Sequence, residues 1–307
     1  MKNNNLRFDI VNTSTTNEVD SAAIYSAALI MGGSKETFTP LLNVKDRARL
    51  RKGNYGTVLQ SDSCTFSDAG AGTLSEKIVD TCGIKVNVEI CQSTLEESYV
   101  SHQMKAGQTN PDFWNAGDFT KYLTDELANK MNAEFELLVW QGDVSASPAD
   151  PCDGLLVKFV ADNTVIPITG ATITSANVIA ELNKVYDAIP QEIKFSTDLR
   201  IYVSSNVLSA YRQAVSAASA EGFYDLKLAE NIFLGVPMIL SQGLGNNDIV
   251  AAETTNLFLV SDLLSDFQQI RILSQLDKTG DDTVRLVGRI KFAVDYVYGD
   301  EIVYSRP

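Results

Sequence analysis

From Leu234 onward the chain is written largely in strands. Leu234-Gly235-Val236-Pro237-Met238-Ile239-Leu240 is followed by a Gly/Asn loop and then by Asn256-Leu257-Phe258-Leu259-Val260-Ser261-Asp262. Two further runs, residues 268–276 and 283–298, flank the polar turn Asp277-Lys278-Thr279-Gly280-Asp281-Asp282 and predict a hairpin. A short ending at Ile302-Val303-Tyr304 closes the chain. Within the second run Val284, Leu286, Ile290, Phe292, Val294, Tyr296 and Tyr298 take even positions, while Arg285, Arg289, Lys291 and Asp295 take odd ones. Period-two patterning of this kind places one face of a strand on a core. Nothing in the stretch resembles catalysis; it reads as a framework.

Upstream the pattern is mixed. Residues 1–35 read as an arm, polar at first and then a short amphipathic helix over Ala22–Met31 stopped by Gly32-Gly33. That apolar run is short and follows Glu18 and Asp20 rather than basic residues, so it does not read as a signal peptide. Residues 41–52 predict a strand with one basic face, residues 53–71 a Gly/Ser/Asp/Thr loop, and residues 83–91 a strand in which Ile84, Val86, Val88 and Ile90 alternate with Lys85, Asn87 and Glu89. Two strands around a long tip predict an extended β-arm, and a loop that long is usually functional. Phe119, Leu123, Leu127, Met131, Phe135 and Val139 then predict a long helix, with Asp118 as its cap and Gly142 as its stop. Its other face is acidic, carrying Asp125, Glu126, Glu134 and Glu136. Strand-like patches at 155–160 and 164–168 lead into an α/β lobe. Helices are predicted there over 175–188 and 206–218, with a short strand over 200–203.

The chemistry of sites is sparse. The four cysteines, Cys64, Cys82, Cys91 and Cys152, lack metal-ligand spacing, and the single histidine is His102. They read as free thiols, reduced in a protein made in the cytosol. Gly243-Leu244-Gly245-Asn246-Asn247 lacks the third glycine of a dinucleotide turn, and 277–282 lacks calcium-loop spacing. No catalytic, cofactor-binding or metal-ligating residue is predicted. A net charge of -14 over 307 residues argues against a dedicated DNA-binding protein, and no apolar run approaches bilayer length. One charged pattern stands out against that acidity: Lys45, Arg47, Arg49 and Arg51 alternate with Val44, Asp46, Ala48 and Leu50. On a strand the four basic residues share a face. Such a ladder can bind phosphate, pair with an acidic surface on a neighbouring copy, or stand solvated.

The order of parts resembles the Hong Kong 97-type capsid fold shared by tailed phages and herpesviruses. The residues that carry the likeness are Ile84-Lys85-Val86-Asn87-Val88-Glu89-Ile90-Cys91 leading toward the long helix, and Glu136-Leu137-Leu138-Val139-Trp140-Gln141-Gly142-Asp143 ending it. Further along they are Tyr202-Val203-Ser204-Ser205-Asn206, Gly235-Val236-Pro237-Met238, the 256–262 strand and the closing long strands. The resemblance implies an α+β chain with residues 1–35 as N-terminal arm, 36–92 as the β-arm called the E-loop with flanking peripheral strands, and 93–170 as a peripheral domain built on a spine helix. Residues 171–264 would form an axial domain, and 265–307 peripheral strands with a return to the axial domain. It further implies a major capsid protein that catalyses no reaction and uses no cofactor. Its copies would form the hexamers and pentamers of an icosahedral shell around double-stranded DNA, bound without sequence specificity. Partners would be a portal protein and a separate scaffolding or decoration protein, with no membrane. The chain would pass from the host cytoplasm to the virion capsid. Because the E-loop in this fold reaches over the next subunit, the ladder Lys45, Arg47, Arg49 and Arg51 is expected to meet Asp125, Glu126, Glu134 and Glu136 of a neighbour. An encapsulin-like compartment shell and, further off, an α/β hydrolase are the alternatives.

Overall fold

Strand pairing grows out of the C-terminal alternation. The computed structural model describes residues 33–54, 59, 61–62, 64, 72–91, 117–147, 150–218, 231–262, 271–274, 279–281 and 283–307. In chain order the strands are β1 (Thr39–Leu41), β2 (Arg47–Asn54), β3 (Thr73–Asp80), β4 (Cys82–Cys91), β5 (Ile166–Thr169), β6 (Leu199–Val203), β7 (Ile232–Phe233), β8 (Val236–Leu240), β9 (Ile249–Glu253), β10 (Leu257–Ser261), β11 (Arg271–Ser274), β12 (Thr283–Tyr296) and β13 (Val303–Arg306). The helices are α1 (Gly117–Gln141), α2 (Leu155–Ala161), α3 (Val178–Ala188) and α4 (Ser205–Ala218), with 3-10 turns at Gly33–Thr37 and Gly299–Glu301.

The long strand β12 organises a five-stranded sheet. It pairs antiparallel with β4 from Thr283↔Cys91 to Phe292↔Cys82. Its other edge takes β11 (Ile272↔Leu286) and β10 (Leu259↔Val294), and β1 lies parallel beside β10. The predicted hairpin is therefore β11–β12. Ile290, Phe292, Val294 and Tyr296 are buried against Met131, Phe135 and Val139 of α1 and Leu155, Leu156 and Phe159 of α2. Asp295, expected on a solvated face, is instead buried. Its carboxylate takes Lys77 Nζ at 2.6 Å and Lys158 Nζ at 3.1 Å. The cause is topological. Among the described residues no strand continues β4 beyond Cys82, and at that edge the same two ammonium groups donate to the carbonyls of Val294 and Tyr296.

The second sheet has six strands in the order β5-β13-β9-β6-β8-β7. Ile201, Val203, Ile249, Ala251 and Val303 face α3 and α4, which contribute Val178, Leu182, Val185 and Val207. The alternate residues Tyr202, Val250 and Ala252 join the core of the first sheet. Leu234 and Gly235, both at positive φ, turn β7 back onto β8.

Several expectations are corrected. The return strand of the β-arm is β3, and residues 83–91 belong to the five-stranded sheet, because β12 offers them a full-length partner. Residues 155–160 are helical, since Leu155, Leu156 and Phe159 bury one helical face; a short apolar run does not declare its period. The predicted helix over 22–31, His102 and most of the arm tip lie outside the described residues. Cys82 and Cys152, expected as free thiols, form a disulfide with Cα atoms 5.8 Å apart. The start of β4 and the turn before α2 converge there; Gly142 and Gly154 pack backbone against backbone just beside Cys152. Cys64 and Cys91 are exposed and lie outside that disulfide. Thiol titration of oxidised, denatured protein is expected to find two groups, rising to four after reduction. Four without reductant would remove the disulfide.

Candidate functional site

The two-stranded arm β2–β3 is two-faced. Alternation turns Ala48, Leu50 and Val79 inward onto Val260 and Ala293. The opposite face is exposed and carries Arg47, Arg49 and Arg51 on β2, and Leu74, Glu76, Ile78 and Asp80 on β3. The register sets Arg47 across from Asp80 and Arg51 across from Glu76. Arg47 Nε lies 2.7 Å from Asp80 Oδ1, while Arg49 Nη1 and Arg51 Nε lie 3.5 Å and 3.9 Å from Glu76. Lys45 is placed in the bend before β2, where its carbonyl accepts a hydrogen bond from Lys291 Nζ. The ladder is thus three arginines long on the strand, and each has an acid on its own arm. The sequence 73–80 carries that signal in the four-residue spacing of Glu76 and Asp80.

Of the acids on α1, Glu134 is exposed and pairs with Lys130 one turn back. The side chains of Asp125 and Glu126 lie outside the described residues. Glu136 is a correction: it is buried rather than on the outer acidic face. Its Oε1 accepts hydrogen bonds from Ser34 N (3.0 Å), Ser34 Oγ (2.5 Å) and Ser241 Oγ (3.0 Å). Trp140 Nε1 donates to the same Ser34 hydroxyl at 2.8 Å. One helical turn separates Asn132, Glu136 and Trp140, so all three meet the 3-10 turn Gly33–Thr37. Lys35, also buried, donates from Nζ to the Asn132 carbonyl at 3.1 Å and to its Oδ1 at 2.5 Å. Burial pulls its ammonium down from 10.5 to about 8, against the attraction of Glu136. Nothing in the local sequence marks this cluster, because Ser34-Lys35 follows the Gly32-Gly33 stop and reads as the polar end of the arm.

Where the arm leaves the body, Lys52 Nζ pairs with Asp300 Oδ1 at 3.2 Å and sits over the Tyr298 ring. Glu301 lies beneath, and burial, then Glu253 and Asp300, raise its carboxyl to about 7. A carboxyl raised above its unfolded value of 4.5 stabilises the fold at low pH, and that contribution is lost as pH rises through about 7. Glu301→Gln, which mimics the protonated form, should match the parent chain near pH 4.5 and melt higher at pH about 8. Equal melting at the higher pH would show that the charge is solvated. Among the described residues no group of three or more His, Cys, Asp or Glu could hold a metal ion, and no helix is long and apolar enough to cross a membrane.

The fold is that of phage capsid proteins. The subunit of the satellite phage P4 procapsid, which includes a size-determination protein, superposes with a TM-score of 0.56 at 12% identity, over 97% of this chain and 99% of that one. A capsid subunit of an empty GTA particle gives 0.56 at 10% identity, over 91% and 89%. A virus-like particle from Pyrococcus furiosus gives 0.54 at 10% identity, over 95% and 99%. No family model and no curated protein matches the sequence. Mixed helices and sheets in this arrangement define a capsid-type shell fold.

Proposed function

We propose that this chain is the major capsid protein of a tailed phage. Its copies build the hexamers and pentamers of an icosahedral shell around double-stranded DNA, with portal, scaffolding or decoration proteins as further partners and the virion as its final location. The likeness to the phage and GTA capsid subunits over nearly the whole chain supports this reading. Residues 1–35 serve as N-terminal arm and 36–92 as E-loop with its flanking strands. Residues 93–170 serve as the peripheral domain around the spine helix α1, 171–264 as axial domain, and 265–307 as peripheral strands returning to it. The observation that carries the reading is the outer face of the arm. Leu74 and Ile78 stand exposed between arginines and carboxylates, and a mixed apolar and charged face fits a protein partner better than a phosphate backbone. An encapsulin-like compartment shell is the second reading, favoured by the likeness to the Pyrococcus furiosus particle. Negative-stain microscopy of purified protein should show closed shells. Neighbouring terminase and portal genes favour the phage, and a cargo-enzyme gene favours the compartment. A protein that stays monomeric at all concentrations and salts would end both readings.

The ladder is proposed to steer that contact. Arg47, Arg49 and Arg51, with Lys45 at their foot, would meet Asp125, Glu126 and Glu134 on a neighbour's spine helix. Exposed ion pairs contribute about 0–1 kcal/mol each, so exchanging the arm's own pairs for a neighbour's costs little and sets orientation and encounter rate. Arg47→Glu with Arg49→Glu is expected to leave the subunit folded and to block or misdirect shell formation. Glu126→Lys with Glu134→Lys should partly restore it. Normal sedimentation of the double variant as shells, at low and moderate salt, would reduce the ladder to a solvated face.

A further inference from the structure

The Cys82–Cys152 disulfide sits where the arm joins the body. Thr81 alone separates β3 from β4, and it also holds the other strand of the arm. Its amide donates to the Asp46 carbonyl at 2.9 Å, and its hydroxyl lies 3.2 Å from the Lys45 carbonyl oxygen and 3.0 Å from that of Asp46. Both strands therefore leave the body at one point, and Cys82 is the next residue. The two sides of the disulfide are held unequally. The turn bearing Cys152 is fixed to the end of α1 by other means: Gly154 N donates to the Gly142 carbonyl at 2.7 Å, Asp153 Oδ1 accepts from Val144 N at 3.0 Å, and a Cβ on Gly142 would fall 2.5 Å from the Cys152 carbonyl oxygen. The arm rests on the body through the small face of Ala48, Leu50 and Val79 and through the ion pairs Lys77–Asp295 and Lys52–Asp300, whose lysines are 36% and 29% exposed. Both redox states are accommodated. Cys152 Sγ lies 3.3 Å from the carbonyl oxygen of Phe292, the register partner of Cys82, so a thiol there has its acceptor in place. Cys82 is half-buried and Cys152 buried, so a small thiol reaches the pair through Cys82.

We propose that Cys82 and Cys152 form a redox latch that sets how freely the arm moves against the body. As thiols they let the arm adjust while subunits meet in a reducing medium. As a disulfide they fix its root once the particle reaches an oxidising one. The use of the latch rests on the shell reading above; its chemistry does not. The Cys82 thiolate attacks a low-molecular-weight disulfide such as oxidised glutathione, forms a mixed disulfide and releases one glutathione thiolate. The Cys152 thiolate then attacks Cys82 Sγ, the bond from that sulfur to glutathione breaks, and the second glutathione thiolate leaves. Two protein thiols are oxidised, one small disulfide is reduced to two thiols, and the two protons pass to the departing thiolates. Reduction runs through the same steps backward, with a glutathione thiolate entering at Cys82.

Peptide mapping and hydrogen exchange on the purified full chain test it, with Cys64→Ser and Cys91→Ser in place so that this pair alone reports. In a glutathione buffer as reducing as a cytosol the pair is expected as thiols, and in oxidised glutathione as the Cys82–Cys152 disulfide, with full return between the two. Amides of β2 and β3 should exchange about tenfold faster or more in the thiol form, while those of the six-stranded sheet stay unchanged. Cys82→Ser should exchange like the thiol form in either buffer. A disulfide that resists cytosol-like glutathione overturns the latch and makes the pair a permanent staple. Thiols that never join, equal exchange of the arm in both redox states, or faster exchange confined to the turn around Cys152 overturn it equally. A chain that builds no shells would end the shell reading, whereas the latch is decided by exchange in the subunit.

Discussion

Trp140→Ala is expected to cost the folded chain about 3–5 kcal/mol, the range for removing a fully buried aromatic side chain. Trp140 is wholly buried, with ring centroids 5.8 Å from Phe38 and 5.3 Å from Tyr202. It therefore joins the segment before β1, α1 and the six-stranded sheet. A Cβ on Gly243 would fall 1.9 Å from the Glu136 carbonyl oxygen and 2.7 Å from the Trp140 ring, so the β8–β9 loop closes over the indole and has no slack to fill a cavity. The variant also leaves the Ser34 hydroxyl without one of its donors. Urea unfolding should show a lower midpoint with an unchanged slope. Trp140→Phe, which keeps most of the volume and loses the N–H, should cost less than half as much. A loss under about 1 kcal/mol for the alanine variant would mean that the junction collapses around the missing ring.

Asp295→Ala is expected to cost about 3 kcal/mol, the low end for removing one partner from a buried ionic cluster, because Lys77 and Lys158 remain 36% and 26% exposed. Two ammonium groups would be left facing each other at the open edge of β12, and both also hold its carbonyls. Lys77 belongs to β3, so the damage should reach the arm. Hydrogen exchange should speed up across β2 and β3 before it does in the six-stranded sheet. Unaltered exchange in the arm would show that the apolar contact of Ala48, Leu50 and Val79 holds it unaided.

The sequence was legible where a single period ran long enough. Alternation in β4 and β12, the four-residue spacing of Met131, Phe135 and Val139 on α1, and the β11–β12 pairing all survive in the structure. Failures came where a pattern is short or where a partner decides. Residues 155–160 are apolar except for Lys158 and become helical because Leu155, Leu156 and Phe159 bury one helical face. The strand 73–80 carries Leu74, Glu76, Ile78 and Asp80 outward, and an exposed face that mixes apolar and acidic groups gives no binary pattern. Of the candidate site, the arginine ladder was visible because its neighbours alternate. The burial of Glu136 was not, because it depends on a segment far away in the chain supplying Ser34 and Lys35. The Cys82–Cys152 pairing was hidden for the same reason, since spacing along the chain says nothing of convergence in space.

The pairing of β4 with β12 and of β1 with β10 sets a schedule for the newborn chain. Cys82 must find Phe292, and Leu41 must find Val260. The ribosome adds about 5–20 residues per second, so β4 waits roughly ten to forty seconds for its partner to exist. A sheet that closes only over such separations folds slowly, and in the interval its edge can pair with the wrong chain. At high local concentration the neighbour within reach is another copy at the same stage. Lys85 and Glu89, the latter paired across the finished sheet with Arg285 at 3.1 Å, place opposite charges along the waiting strand. The alternation that defines the strand in the native protein thereby also keeps it soluble before its partner has been made.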